Sequence, residues 1–193
     1  MADPGEDRYS KRHWRARLLA ARRLVPAEQH AAEARALATA VVDIPAGLVC
    51  CYVPVGSEPG SLDLITSLAG AGRQVMLPVV VGSAPLDWAY YTGPDSLAPG
   101  PYGLRQPSGP RLGAGAIGEA DLVLVPALAV DRAGHRIGRG GGHYDRSLPL
   151  VAPGTPLVAV VRDDELVDAL PHEPHDVPMT AVLTPIGGLL RLG

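Results

Sequence analysis

The chain has 193 residues, 47% of them hydrophobic, with 17 basic and 20 acidic side chains and a formal net charge of −3. That length and apolar content suit one globular domain with a sizeable core and exclude a disordered chain. The charge balance supplies no overall basic field to recruit nucleic acid or anionic lipid, and only 4% of residues are aromatic.

Residues 1–9 read as a flexible polar segment and 10–193 as one domain. The first 17 residues carry no apolar run of signal-peptide type, and no stretch approaches the ~18 apolar residues of a membrane helix, so a cytoplasmic protein is expected. From 11 to 25 the apolar positions Trp14, Leu18, Ala21 and Val25 recur at helical spacing, with Lys11, Arg15 and Arg22 on another face. Pro26 suits the start of a second helix, rich in Ala and Glu, running to about 42. An apolar run over 48–53 reads as a strand covered on both faces. Within it, Cys50 and Cys51 point to opposite faces and read as buried thiols of a reducing compartment. Ser61 is placed to cap a helix over 62–71 that turns Leu62, Ile65 and Leu68 inward and stops at Gly72. Strands are expected over 74–81, 86–91, 121–126 and 156–162, with a last one over 181–184. The Pro- and Gly-rich stretch 93–118 reads as a long loop. Strands alternating with helices imply an open α/β sheet with helices on both sides.

The most informative segment runs from Val125 to Arg146. An apolar strand enters a turn, then glycines at 138, 140, 141 and 142, then Tyr144-Asp145-Arg146. Glycines let backbone N–H groups approach something bulky and anionic, Arg136, Arg139 and Arg146 add positive charge, and Asp145 is positioned to hold a metal ion. Together they read as a nucleotide phosphate site; the glycines alone would also suit a structural turn. No lysine follows a glycine in the phosphate-loop pattern, and the dinucleotide fingerprint fits poorly because the third glycine falls two residues after the second.

This segment resembles the 5-formyltetrahydrofolate cyclo-ligase (methenyltetrahydrofolate synthetase) family. Its hallmark is a strand ending in Pro, then Asp-x-x-Gly-x-Arg-Leu-Gly-x-Gly-x-Gly-Tyr-Tyr-Asp. The match departs only at Ile137, for Leu, and at His143, for the first Tyr. The resemblance implies a single three-layer αβα domain with an open, mostly parallel sheet (NagB/RpiA/CoA-transferase-like). It implies a monomer that converts 5-formyltetrahydrofolate to 5,10-methenyltetrahydrofolate with ATP and Mg²⁺. Lys11 and Arg15 on the first helix, which otherwise read as a solvated face, would hold ATP phosphates with Arg136, Ile137, Gly138, Arg139, Gly140, Gly141, Gly142, His143 and Tyr144. Of these, His143 receives no specific contact, because its polarity differs from that of Tyr. Lys11, Arg139 and Asp145 would carry catalysis. Val53 and Glu58, beyond the 48–53 strand, and Tyr102, in the 93–118 loop, would contact the folate; the residues alone also allow a solvated loop acid and a packed turn aromatic. Asp145 and Asp176 would hold Mg²⁺. Around Asp176, the cluster His172-Glu173-Pro174-His175-Asp176 also admits zinc, although Pro174 breaks any helix that would align its ligands. Two other functions stay open: a sugar-phosphate isomerase-like enzyme on the same scaffold, and a non-catalytic folate- or nucleotide-binding module.

Overall fold

The structure, a computed structural model, describes residues 10–193; the expectation for residues 1–9 lies outside the described residues. Helix α1 (Lys11–Arg23) begins where the Ser10 hydroxyl accepts the His13 N–H at 3.2 Å, and α2 (Ala27–Ala40) follows Pro26. Strand β1 (Leu48–Cys50) leads to α3 (Leu62–Gly70), which Ser61 caps by accepting the Asp63 N–H at 3.1 Å. This helix buries Leu64, Ile65 and Leu68, whereas Leu62 is only half-buried. Then come β2 (Gln74–Val79), β3 (Asp87–Tyr90), β4 (Leu97–Pro99), β5 (Arg105–Pro107) and β6 (Leu122–Pro126). The chain closes with β7 (Ala129–Asp131), β8 (Arg136–Ile137), α4 (His143–Ser147), β9 (Leu157–Val160), β10 (Leu166–Val167), β11 (Ala181–Thr184) and β12 (Gly188–Arg191).

Seven strands form one sheet in the order β12-β11-β9-β6-β1-β2-β3. The inner five are parallel, and β3 and β12 pair antiparallel at the two edges. Alternation along the strands divides the core. Val49, Leu122, Leu124, Val158 and Val160 pack against Leu37 and Val41 of the α2 segment and Leu64, Ile65 and Leu68 of α3. Cys50, Met76, Val123, Val125 and Ala159 face the other way, onto Trp88, Ile117, Leu148 and Met179. The second face is therefore covered largely by short elements, the 3-10 turns Ala114–Glu119 and Leu148–Leu150 beside α4. The adjacent cysteines lie on opposite faces as free, buried thiols, and burial pushes Cys51 up to about 12 and Cys50 higher still.

Three sequence expectations need correction. The 93–118 stretch is not a plain loop: it holds the β4–β5 hairpin and 3-10 turns on either side. The 181–184 strand is not the last, because β12 folds back on it with Leu189 and Leu190 partly exposed, which removes the apolar signal of a buried strand. A second sheet, β10-β7-β8, was not expected from the sequence, its strands being two or three residues long. Among the described residues no helix is long and apolar enough to cross a membrane.

The small sheet seats α1. Leu18 and Trp14 pack on Leu128, Ala129, Ile137 and Leu170. Arg22, expected on a face apart from the apolar positions, is 3% exposed: its Nε and Nη2 donate to the two Glu165 carboxylate oxygens at 2.6 and 2.7 Å, and Nη2 also to the Ala127 carbonyl at 2.7 Å. This bidentate pair fixes the direction in which α1 leaves the sheet. Removing one partner of such a pair strands a buried charge at a cost of about 3–5 kcal/mol. Glu165→Ala is expected to lower unfolding stability by that order in urea titration; a loss below about 1 kcal/mol would show that α1 is held by its apolar face alone.

Candidate active site

The sheet changes direction at β1. The chain passes from β1 through α3 to β2 on one side, then returns to lay β6 on the other. Open α/β sheets leave a crevice beyond the carboxyl ends of strands at such a switch point. Here a cavity of about 230 Å³ opens, lined by Tyr52 and Val53 after β1, Pro126 at the end of β6, and Pro78 and Val80 at the end of β2. Leu86, Leu104, Arg105 and Gln106 form another wall, and Lys11, Arg15, Glu58, Arg136, the 138–145 segment and Asp176 complete it.

The first half of the Val125–Arg146 segment is structural. Asp131 is 2% exposed, and its carboxylate accepts the N–H groups of Ala133, His135 and Leu170 at 2.8–3.0 Å and contacts His135 Nδ1 at 3.0 Å. Gly134 has φ +90°, and a Cβ there would lie 2.3 Å from the Met179 carbonyl oxygen. Asp131 and Gly134 thus close the β7–β8 hairpin and aim the glycine segment toward the cavity. After Ile137 the chain leaves the ladder. Among the described residues no N–H from Gly138 to Gly142 donates to an internal acceptor, and all five residues line the cavity. Gly140 (φ +97°) and Gly142 (φ +67°) allow this curled path, and a Cβ on Gly142 would sit 2.6 Å from Arg146 Nη1.

The charges around these amides are paired. Lys11 Nζ donates to Asp176 Oδ2 at 2.6 Å and to Glu173 Oε2 at 2.9 Å. Burial works against the Lys11 ammonium, but the hydrogen bonds and charges of Asp176 and Glu173 outweigh it and hold its pKa above the ordinary lysine value. Burial likewise opposes the Asp176 carboxylate, yet Lys11 and the Glu173 N–H at 2.7 Å keep its pKa below the usual carboxylate range. Arg136 donates to Asp145 Oδ1 and, at 2.8 Å, to the Val177 carbonyl; its burial lowers its pKa despite those carboxylates. Arg139 Nε donates to Glu58 Oε1 at 2.8 Å, and Arg15 Nε to the Gly138 carbonyl at 2.9 Å. Burial, helped by the nearby Cys51 and Glu58, pushes the Tyr144 hydroxyl well above its usual pKa, and that hydroxyl has no partner among the described residues.

Most residues singled out from the sequence meet here. Lys11, Arg15, Val53, Glu58, Arg136, Gly138, Arg139, Gly140, Gly141, Gly142, His143, Tyr144, Asp145 and Asp176 all line one cavity. Ile137 does not: its side chain is fully buried with Leu18 and Leu170, so it anchors the loop from below. Tyr102 lies in the turn between β4 and β5, and its side chain falls outside the described residues. The apolar wall of Pro78, Val80, Leu86 and Leu104 went unread, although the first two end a strand that the sequence revealed. The sequence places Glu173 only within the histidine and acid cluster that admits zinc; its contact with Lys11 gives it a place beside the site.

Could these residues hold a metal ion? Asp145 spends Oδ1 on Arg136, and Asp176 spends Oδ2 on Lys11 and the Glu173 N–H. Each keeps one oxygen without a hydrogen bond among the described residues, and both residues line the cavity, so their donor chemistry suits a hard divalent cation that shares its shell with phosphate oxygens. Glu173, His175 and Asp176 bring ligand atoms within 4.8 Å of one another, and Lys11 engages both carboxylates.

Comparison with known proteins identifies the class. Residues 7–185 match the model of the 5-formyltetrahydrofolate cyclo-ligase family, and the chain belongs to that family of ligases. It is 50% identical over 190 residues to a 5-formyltetrahydrofolate cyclo-ligase of Mycolicibacterium smegmatis, covering 95% of this chain and 97% of that one. A protein of the same name from Escherichia coli K12 is 30% identical over 171 residues, 85% of this chain and 94% of that one. The NMR structure of Aquifex aeolicus 5,10-methenyltetrahydrofolate synthetase superposes with a TM-score of 0.76 at 26% identity, covering 94% of this chain and 92% of that one.

The Asp176 environment sets a pH dependence. A carboxyl whose folded pKa lies below its unfolded value stabilises the fold above the unfolded pKa, and the effect is lost as pH falls through the folded one. Asp176→Asn is therefore expected to melt below the parent protein at neutral pH and to converge with it in strong acid. A gap in melting temperature that persisted unchanged to about pH 2 would contradict the ion-pair assignment.

Proposed function

We propose that the protein converts 5-formyltetrahydrofolate to 5,10-methenyltetrahydrofolate, consuming ATP with Mg²⁺ and releasing ADP and phosphate. The observation that carries this reading is the run of amides from Gly138 to Gly142, unpaired among the described residues, beside Lys11, Arg15 and Arg139 in a cavity with an apolar wall of Pro78, Val80, Leu86 and Leu104. Free amides and fixed cations around a cavity recognise phosphate, and the family relationship supplies the substrate.

A formyl oxygen on nitrogen is a poor leaving group. Attack of that oxygen on the γ-phosphorus forms the O–P bond, breaks the bond to the β-bridging oxygen and releases ADP. N10 then attacks the activated carbon, loses its proton, and the C–O bond breaks to release phosphate. The enzyme's contribution is position and charge neutralisation. Lys11, Arg15, Arg139 and the loop amides hold the triphosphate and offset charge on the transferring group. Bound Mg²⁺, held by Asp145 and Asp176, would neutralise phosphate oxygens. Val53, Glu58 and Tyr102 would seat the pterin so that its formyl oxygen lies in line. Glu58 pairs with Arg139, which joins the substrate side to the phosphate side through one contact. In this reading the enzyme acts as a monomer.

Absorbance of the methenyl product is expected to grow when protein, 5-formyltetrahydrofolate, ATP and Mg²⁺ are mixed, and to fail when any one is omitted. Growth without ATP would sink the proposal, and product-free ATP binding would favour a regulatory module. Asp145 is 44% exposed, and Asn retains an acceptor for Arg136, so Asp145→Asn should fold normally yet lose on the order of 100-fold in turnover. Lys11→Arg should slow turnover too, since a planar guanidinium cannot reproduce the compact ammonium between Asp176 and a phosphate.

A further inference from the structure

Five cations line the cavity, and four belong to its phosphate side. Lys11 and Arg15 come from α1, Arg136 and Arg139 from β8 and the glycine loop, and three of these four are already paired with carboxylates. The fourth, Arg15, lies against Gly140. Arg105 is different. It stands on β5, in a hairpin that packs on β2, and lines the cavity with the apolar wall of Pro78, Val80, Leu86 and Leu104. No carboxylate lies within ion-pair distance of it among the described residues. Its Nη2 donates to the carbonyls of Leu97 at 3.1 Å and Pro94 at 3.5 Å, and its Nε and Nη1 have no internal acceptor among those residues. The two carbonyls orient the guanidinium without cancelling its charge, which leaves a planar fork at the exposed rim of an apolar wall.

We infer that Arg105 binds a carboxylate on the glutamyl tail of the folate. The inference rests on the proposed function. If the formyl oxygen must face the glycine loop, the rest of the substrate runs away from it along the apolar wall. Its far end carries the tail carboxylates, and the cation waiting off the phosphate loop is Arg105. The unengaged Nε–H or Nη1–H groups of the guanidinium can donate to a carboxylate oxygen in a charge-assisted hydrogen bond. Arg105 therefore acts on substrate affinity and not on the transferring phosphoryl group.

The test measures calorimetric binding and turnover of the full chain with two ligands: 5-formyltetrahydrofolate, and the analogue in which both tail carboxylates are amides. Arg105→Gln should weaken binding of the first about 10-fold, the loss of one charge-assisted contact, and leave the diamide unaffected. KM for the folate should rise by the same factor, with kcat and the KM for ATP unchanged, and Arg105→Lys should recover part of the loss. Equal weakening of both ligands would assign Arg105 a structural role in the hairpin, and no weakening of either would remove it from the site; both overturn the inference. If the parent protein binds the folate through Arg105 but forms no methenyl product, the inference stands and the proposed reaction fails. If it turns over and Arg105→Gln binds like the parent, the reverse holds. If it binds neither ligand, both fall.

Discussion

The site depends on a strand that ends early. β8 pairs with β7 only as far as Ile137, whose side chain is locked among Leu18, Leu128 and Leu170. Beyond it the backbone has no neighbouring strand, and glycines with positive φ turn it back on itself. A buried amide without an acceptor is costly, whereas at a cavity wall it stays solvated until an anion displaces the water. Stopping the ladder at Ile137 is thus what leaves these backbone amides open at the cavity wall, as the proposed phosphate cradle requires, and the buried Asp131 carboxylate accepts three backbone N–H groups that hold the hairpin.

Around the cradle, charge is organised by mutual restraint. Lys11 is held by Asp176 and Glu173, Arg136 by Asp145, and Arg139 by Glu58. Long cationic side chains would otherwise spend entropy on becoming ordered when ligand arrives. Paired in advance, they are positioned at low net charge. Asp145 and Asp176 each keep an oxygen free for a cation, so one set of contacts serves both the unliganded fold and the proposed complex. α1 carries this arrangement from a distance: its far end is bolted down by the buried Arg22–Glu165 pair, and its first turn presents Lys11 and Arg15 to the loop.

How much of this was legible beforehand varies with the length of the signal. Helices α1, α2 and α3 and the strands β1, β2, β6, β9 and β11 announce themselves by apolar patterning: α2 and α3 bury a face against the large sheet, α1 against the small one, and the strands form the large sheet's core. The β4–β5 hairpin and the β10-β7-β8 sheet do not, since strands of two or three residues bury too little to leave a pattern. β12 exposes its leucines and so resembles a tail. The site follows the same logic. The glycines, Lys11, Arg15, Glu58, Asp145 and Asp176 were readable from residue type and motif, whereas Arg105 and Leu86 were not, because nothing local distinguishes them from other loop residues.

What the chain determined by itself is the chemistry available: glycines at 138, 140, 141 and 142, one lysine on the first helix, carboxylates at 145 and 176, and strands apolar enough to build a parallel core. Which groups face one another was decided only by the tertiary structure. Arg139 reaches Glu58 across 81 positions and Lys11 reaches Asp176 across 165, distances over which spacing in sequence carries no geometric information. Likewise Ile137 and Asp131, embedded in the same motif as the cavity residues, were sorted into core and hairpin by the alternation of β7 and β8. Side-chain direction in a strand reverses at each residue, so a contiguous motif is divided between wall and interior once its pairing is set.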